Sequence, residues 1–513
     1  MQLATTLCRG QLGLQAPLVQ VEVHVASGLP IFSIVGLPAA AVRESRERVR
    51  AALINCGFEL PAGRITVNLS PAELPKEGGR FDLPIALGVL IASGQLRLRG
   101  EDLAARMAHS EFYGELGLGG EVKPVKGLLL AAASAAQSAH DLYVPQESAA
   151  EVRFVGAAAV HGVRHLRELC AQFHARGSVA GQADRPPAPS LAPAIAGLDL
   201  REVCGQTQAK RALIIAAAGA HSLLLIGPPG SGKSMLAQRL AGLLPALSHE
   251  QALEVAMLAS VSSAGFDPRS FGMRPFRAPH HTASAHAIVG GGPHARPGEA
   301  SLAHRGVLFL DELPEFDRRV LEALREPLET RSISVARTQA RVQYPAAFQL
   351  IAAMNPCPCG FLGEPGGSCR CTPAQIQAYC AKLSGPLLDR IDLQIALARV
   401  PVEEIASASG EPRGESSSAA AERIGCAHRR QLGRAGKSNS ELTPAELTEH
   451  ARMEPAARHL LTSACEQLGL TARSYHRALR VARTIADLES SDEILRAHAA
   501  EAVQLRRALP GAS

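Results

Sequence analysis

Residues Ser222 to Ser234, Ser-Leu-Leu-Leu-Ile-Gly-Pro-Pro-Gly-Ser-Gly-Lys-Ser, carry the strongest chemical signal in the chain. Leu223 to Ile226 read as a short buried strand. Gly227, Pro228, Pro229, Gly230, Ser231, Gly232, Lys233 and Ser234 then match the phosphate-loop pattern of a glycine, four residues and Gly-Lys-Ser. Glycines let the backbone curl so that several N–H groups face one anion, and the helix expected from Met235 to Leu244 adds the positive end of its dipole. Lys233 can reach the outer phosphates and Ser234 can offer a hydroxyl to magnesium, so ATP and Mg2+ are the implied ligands. A second element, Gly306 to Phe316, pairs an apolar strand with Asp311 and Glu312. Asp311 is placed to hold the magnesium through water, and Glu312 to polarise an attacking water.

A third cluster is Cys357, Cys359, Cys369 and Cys371, spaced Cys-x-Cys, nine residues, Cys-x-Cys on a glycine-containing loop. Four thiolates so arranged suit a tetrahedral zinc site, with unpaired thiols or a redox-active loop as the alternatives. His280 and His281 read as loop or structural histidines, because no third ligand at a suitable spacing accompanies them.

The elements that must position these groups are bounded by length and composition. A chain of 513 residues exceeds one ordinary core, so two to four domains are expected. Hydrophobic content of 46% and charged content of 20% describe a soluble globular chain. Apolar runs such as Leu83 to Ala92 are too short for a membrane span, and no secretory signal opens the sequence, so the expected location is cytoplasmic. A net charge of +5 is too mild to argue for nucleic acid, which must be argued from local patches. Of the 11 cysteines seven stand singly, which argues against a disulfide framework.

Residues 1–171 read as a mixed α/β domain with strands at Val19 to Val25, Ile31 to Val35 and Arg64 to Leu69. A helix from Ala41 to Cys56 carries Arg43, Arg46, Arg48 and Arg50, either as a solvated face or as a nucleic-acid contact. The turn Pro75 to Asp82, followed by an apolar helix, and the later Gly114 to Leu128 together resemble the proteolytic domain of Lon, a ribosomal S5 domain 2-like α+β fold. Arg80 stands where Lon has its nucleophilic serine, and Leu129 stands where it has its lysine. The resemblance therefore implies the fold without the peptidase dyad, since a hydroxyl needs a base within hydrogen-bond reach. A Pro, Ala, Gly and Ser-rich stretch at 172–196 reads as a linker.

The region 197–401 resembles an AAA+ ATPase, an α/β P-loop domain. The resemblance assigns Asn355, after the strand Leu350 to Met354, to the first sensor, and Arg390 to a finger that reaches the neighbouring subunit's nucleotide. Residues 402–513 read as packed helices, the expected lid over the nucleotide. Arg473 is taken as its second sensor, with Arg477, Arg480 and Arg483 as candidates on the same helix. Together with Arg274 to Ser284 and Val289 to Pro293, read as loops, with Ala303 to Gly306, and with an arginine-bearing hairpin from Ser332 to Tyr344 flanked by Arg331, these motifs are similar to the magnesium-chelatase-like AAA+ family in its ComM/YifB branch. That resemblance implies a homohexameric motor that moves DNA without reading its sequence, with no membrane partner. It would promote branch migration of joint molecules while transforming DNA is integrated. Arg337 and Arg341 on the hairpin would contact phosphates. The alternative is a magnesium-chelatase-like remodelling chaperone acting on a protein partner.

Overall fold

The computed structural model describes residues 3–97, 101–156, 159–174, 198–292, 295–336, 341–364, 369–401, 414–467 and 471–506. Nearly all of the expected linker lies outside these residues. So do Arg337, Gly366, Gly367 and the polar stretch just past Pro401. Two compact units emerge, one from Met1–Ser190 with Ala252–Phe271, the other from Leu191–Gln251 with Gly272–Ser513.

The first unit is built on a seven-stranded sheet. Its strands are β1 (Leu3–Arg9), β2 (Leu18–Ala26), β3 (Phe32–Val35), β4 (Arg64–Ser70), β5 (Ser110–Phe112), β8 (Asp141–Pro145) and β9 (Val160–Val163), and a small ribbon β6 (Glu115–Leu116) with β7 (Val122–Lys123) stands apart from it. The order is β3-β4-β2-β1-β5-β8-β9. Strands β1, β2 and β4 pair antiparallel, and β5, β8 and β9 continue in parallel. The alternation of Val19, Val21 and Val23 with polar neighbours puts those three valines in the core. All of the helix Asp82–Ala92 is buried against this sheet, which is why it is apolar on every face. Its one acid, Asp82, begins the helix and is held by Arg48 Nε at 2.6 Å, so the arginine-bearing helix is partly committed to structure. Arg80 is buried and donates to Gln11 Oε1 and to the Lys126 carbonyl, while Leu129 lies in the core.

The second unit holds a five-stranded, all-parallel sheet. Its strands are β10 (Leu223–Ile226), β11 (Phe276–Arg277), β14 (Val307–Leu310), β17 (Gln349–Met354) and β18 (Leu393–Ala396), in the order β11-β14-β17-β10-β18. Two antiparallel ribbons accompany it, β12 (Gly290–Gly291) with β13 (Arg296–Pro297), and β15 (Ser332–Ala336) with β16 (Arg341–Pro345). Parallel strands covered on both faces read as continuous apolar runs, and β10, β14 and β17 are buried at every position. The stretch read as loop from Arg274 contributes an edge strand instead, because Phe276 stacks on Phe309 with ring centroids 6.0 Å apart.

The C-terminal helices Ser417–Ala435, Pro444–His450, Pro455–Gln467, Ala472–Leu488 and Arg496–Gln504 share one hydrophobic core with this sheet and with the helix Thr207–Gly219. A buried polar seam fixes that packing. Asp392, just before β18, accepts from Arg477 at 2.5 Å, from the backbone N–H of Ser222 at 3.2 Å, and faces His221 Nδ1 at 3.3 Å. His221 Nε2 meets Thr484 at 2.8 Å, and Asn439 joins Thr484 to Asp487. Burial pushes the Asp392 carboxyl up, but the hydrogen bond with His221 and the charges of Arg477 and Arg506 outweigh it, leaving its pKa well below the carboxylate range. No helix among the described residues is long and apolar enough to cross a membrane.

Removing one partner of a buried ion pair strands the others, so Asp392→Asn should lower unfolding free energy by about 3–5 kcal/mol at pH 7. Since the carboxyl is depressed in the folded state, its contribution is present above an unfolded value of about 3.9 and fades as pH falls below that. Urea unfolding at pH 7 and at about pH 2.5, well below the unfolded value, checks both statements. An equal loss at the two pH values would contradict the second.

Candidate nucleotide site

The phosphate loop leaves the carboxyl end of β10, the position at which open parallel sheets present ligands. The Gly227 N–H donates to the Met354 carbonyl at 3.1 Å, tying the loop's first residue to the end of β17. Gly230 and Gly232 have φ of 78° and 89°, left-handed values that an L side chain resists. The helix Lys233–Leu243 follows at once, two positions earlier than the expected start at Met235, and aims its unsatisfied N–H groups at the loop.

Lys233 is buried, and its ammonium donates to the carbonyls of Gly227 at 2.7 Å and Pro228 at 2.9 Å and to Asn355 Oδ1 at 3.2 Å. Burial lowers its pKa from the lysine range, opposed by the charges of Asp311 and Glu312. The hydroxyl of Ser234 donates to Asp311 Oδ2 at 2.7 Å, so the two predicted magnesium ligands meet at one point as a hard-oxygen set that fits Mg2+. The Ser231 hydroxyl is buried without a partner among the described residues. Met235 faces outward, 45% exposed.

Glu312 adopts φ 54°, an uncommon conformation for a residue with a side chain. Its backbone N–H donates to Asp311 Oδ1 at 2.9 Å, which turns the two acids apart. The Glu312 carboxylate pairs with His281 Nδ1 at 3.1 Å. His281 thus belongs to the site, although its sequence neighbourhood carries no metal or triad spacing that signals it.

Arg390 and Arg473 stand elsewhere. Both precede or flank the amino end of the sheet, and both pair with Glu329 Oε1, at 2.7 and 3.2 Å. Arg390 also donates to the Pro386 carbonyl and is buried, whereas the Arg473 side chain is 52% exposed. The other candidates on the same helix are bound into structure: Arg477 on Asp392, Arg480 on the Leu442 carbonyl, and Arg483 on Asp487. Arg473, expected on a lid over the nucleotide, pairs with Glu329, and among the described residues it forms no hydrogen bond or ion pair with the phosphate loop of its own chain. The short strand β10, about 13 Å long, separates the two ends of the sheet. Arg331 differs from expectation as well, being bonded to Glu441 and lowered to about 10 by burial and the nearby Arg305.

Three family models match successive parts of the chain. Residues 199–405 match magnesium chelatase, subunit ChlI; residues 21–148 match the subunit ChlI of Mg-chelatase; and residues 414–506 match the C-terminal part of that subunit. Two relatives align over almost the whole chain. Uncharacterized protein YifB of Escherichia coli K12 is 46% identical over 506 residues, covering 99% of this chain and 97% of its own. Competence protein ComM of Haemophilus influenzae is 45% identical over 513 residues, covering 99% and 98%. The chain belongs to the magnesium-chelatase-like ComM/YifB family.

The 38 kDa subunit of magnesium chelatase from Cereibacter sphaeroides is a more distant member of the same group, 26% identical over 171 residues, which cover 30% of this chain and 51% of that subunit. Membership in the magnesium-chelatase-like family implies a nucleotide and Mg2+, and the mixed α/β unit with a parallel sheet is consistent with its AAA+ architecture. The Lys233 ammonium sits on the loop carbonyls of Gly227 and Pro228, where the phosphate-loop pattern expects a phosphate-reaching lysine. Lys233→Ala should weaken ATP binding by at least about tenfold, measured by titration with a fluorescent ATP analogue, with far-ultraviolet circular dichroism unchanged. Retained affinity would contradict the assignment.

Proposed function

We propose that this chain is an ATP-hydrolysing, ring-forming motor that acts on DNA, and that each active site is shared between neighbouring subunits. The observation that carries the reading is the separation of its parts. Gly227 to Ser234, Asp311, Glu312 and Asn355 gather at the carboxyl end of the sheet, while Arg390 and Arg473 meet at Glu329 near the amino end. In a closed ring of head-to-tail contacts, the second group of one subunit can face the first group of the next.

In this reading Gly230, Gly232 and the first turn of the helix Lys233–Leu243 bind the phosphates of ATP, and Lys233 exchanges its loop carbonyls for the outer phosphates. Ser234 and Asp311 would hold Mg2+, which supplies charge neutralisation across the phosphates. Glu312 orients and polarises the attacking water, and its pairing with His281 holds the carboxylate aside until the site is filled. Asn355 senses the terminal phosphate through the same amide that contacts Lys233. Arg390 and Arg473, released from Glu329, add positive charge to the phosphoryl oxygens of the neighbour's substrate.

The naming of the Haemophilus relative as a competence protein supports a role in natural transformation. The finer reading is a homohexamer that drives branch migration of joint DNA molecules, using the β15–β16 hairpin to grip phosphates. The first unit fits a Lon-protease-like fold without peptidase chemistry, as the buried Arg80 and the core position of Leu129 support.

ATPase rate measured with single-stranded and branched DNA at 50 and 200 mM salt tests this reading. Stimulation several-fold at the lower salt, falling at the higher as phosphate contacts are screened, is expected. A rate indifferent to every DNA at both salts would overturn the DNA motor and favour remodelling of a protein partner.

A further inference from the structure

Four cysteines that take no part in the phosphate chemistry converge beside it. The Sγ atoms of Cys357, Cys359, Cys369 and Cys371 all lie within 4.8 Å of one another. Cys357 is 3.4 Å from Cys359 and 3.7 Å from Cys369, and Cys359 is 3.6 Å from Cys369. Metal–sulfur bonds of about 2.3 Å in a tetrahedron need sulfurs about 3.8 Å apart, whereas a disulfide draws them to about 2.05 Å. All four thiols are free. The spacing therefore suits four ligands of a single ion. A multinuclear iron–sulfur core would hold its ligand sulfurs further apart.

Backbone donors complete the arrangement. The N–H groups of Phe361 and Arg370 are directed at Cys359 Sγ, that of Cys371 at Cys369 Sγ, and that of Cys359 at Cys371 Sγ. Donors aimed at sulfur stabilise thiolates and fix the orientation of metal ligands. Two Cys-x-Cys arms with such donors leave no coordination position open, which is the character of a structural rather than a catalytic site.

The cluster is joined to the phosphate loop on three sides. Asn355, whose amide contacts Lys233, lies two residues before Cys357. Its backbone N–H donates to the hydroxyl of buried Tyr379. Tyr379 lies on the helix Pro373–Cys380, which opens just after Cys371 with a capping box between Thr372 and Gln375. Gly360, at φ 85°, sits so close to the loop that a Cβ there would stand 2.7 Å from Cδ of Pro229.

We propose that Cys357, Cys359, Cys369 and Cys371 bind one zinc ion, and that this ion clamps Asn355, Gly360 and Pro229 in the positions from which Lys233 meets a nucleotide phosphate. The proposal rests on the phosphate-loop reading of Gly227 to Ser234. Binding displaces the thiol protons, so the loaded site carries four thiolates around one divalent cation. Without the ion, the chain from Pro356 to Thr372 loses its cross-link. Asn355 and Pro229 then lose the wall that holds them.

The test uses the full chain purified without chelators. Elemental analysis should find one zinc per chain, and cobalt substitution should give sulfur-to-cobalt charge-transfer absorption. The double variant Cys359→Ser, Cys369→Ser should lose the metal and bind a fluorescent ATP analogue about tenfold more weakly. Cys426→Ser, an exposed cysteine elsewhere, should change neither. Should the double variant fail to fold, wild-type chain stripped by a mercurial and chelator, then reduced and reloaded with zinc, gives the same comparison. Wild-type chain that purifies without zinc and still binds ATP overturns the zinc site and leaves the phosphate-loop reading standing, and iron in place of zinc overturns the choice of metal. Equal ATP affinity with and without zinc overturns the clamp. One zinc in a chain that binds no ATP refutes the phosphate-loop reading and the clamp with it.

Discussion

A parallel sheet has two chemically different ends, and that polarity governs this molecule. Because β10, β11, β14, β17 and β18 all run one way, every turn that follows a strand falls on one edge and every turn that precedes one falls on the other. The carboxyl edge collects Gly227 to Ser234 after β10, Asp311 and Glu312 after β14, and Asn355 after β17. The amino edge collects Ser222, Arg390 and Asp392. A strand length of about 13 Å separates these two ends, so Arg390 and Arg473 on Glu329 stand apart from the phosphate loop of their own chain.

Glu329 and Asp392 divide the cations of the amino edge between them. Asp392 takes the structural ones, Arg477 by its side chain and Arg506 at its carbonyl, and through His221 it joins the sheet to the C-terminal helices. Glu329 takes Arg390 and Arg473. A carboxylate shared by two arginines and 40% exposed is a weaker hold than the buried one, because solvent screens it. That contrast separates the two arginines that share Glu329 from Arg477, which is paired with buried Asp392. His281 on Glu312 is the equivalent hold at the other edge.

The contiguous motifs were legible in the sequence because each is a single local backbone form with one chemistry. The phosphate loop follows its strand, Ser234 lies against Asp311, and the four cysteines of one loop converge, each as its local spacing leads one to expect. Contacts between distant segments were not legible. Nothing near His281 announces Glu312, and nothing in the run of arginines from Arg473 to Arg483 says which one is left half-exposed. Position 331 looked like part of a basic hairpin, and nothing in the sequence announces that its guanidinium pairs with Glu441. The strand Phe276–Arg277 was hidden by its prolines and by its shortness. The shared core of the sheet and the C-terminal helices was hidden because amphipathic spacing shows that a helix face is covered, not by what.

The central claim is that two chains are needed to make one working site. Mixing Lys233→Ala chains with Arg390→Ala chains, each inactive alone, and measuring ATP hydrolysis across a range of ratios tests it directly. In a ring that mixes at random, roughly a quarter of the interfaces at equal ratio bring an intact phosphate loop against an intact arginine, so activity should reappear and peak near that ratio. Mixtures that stay inactive at every ratio, although both variants assemble, would contradict the account.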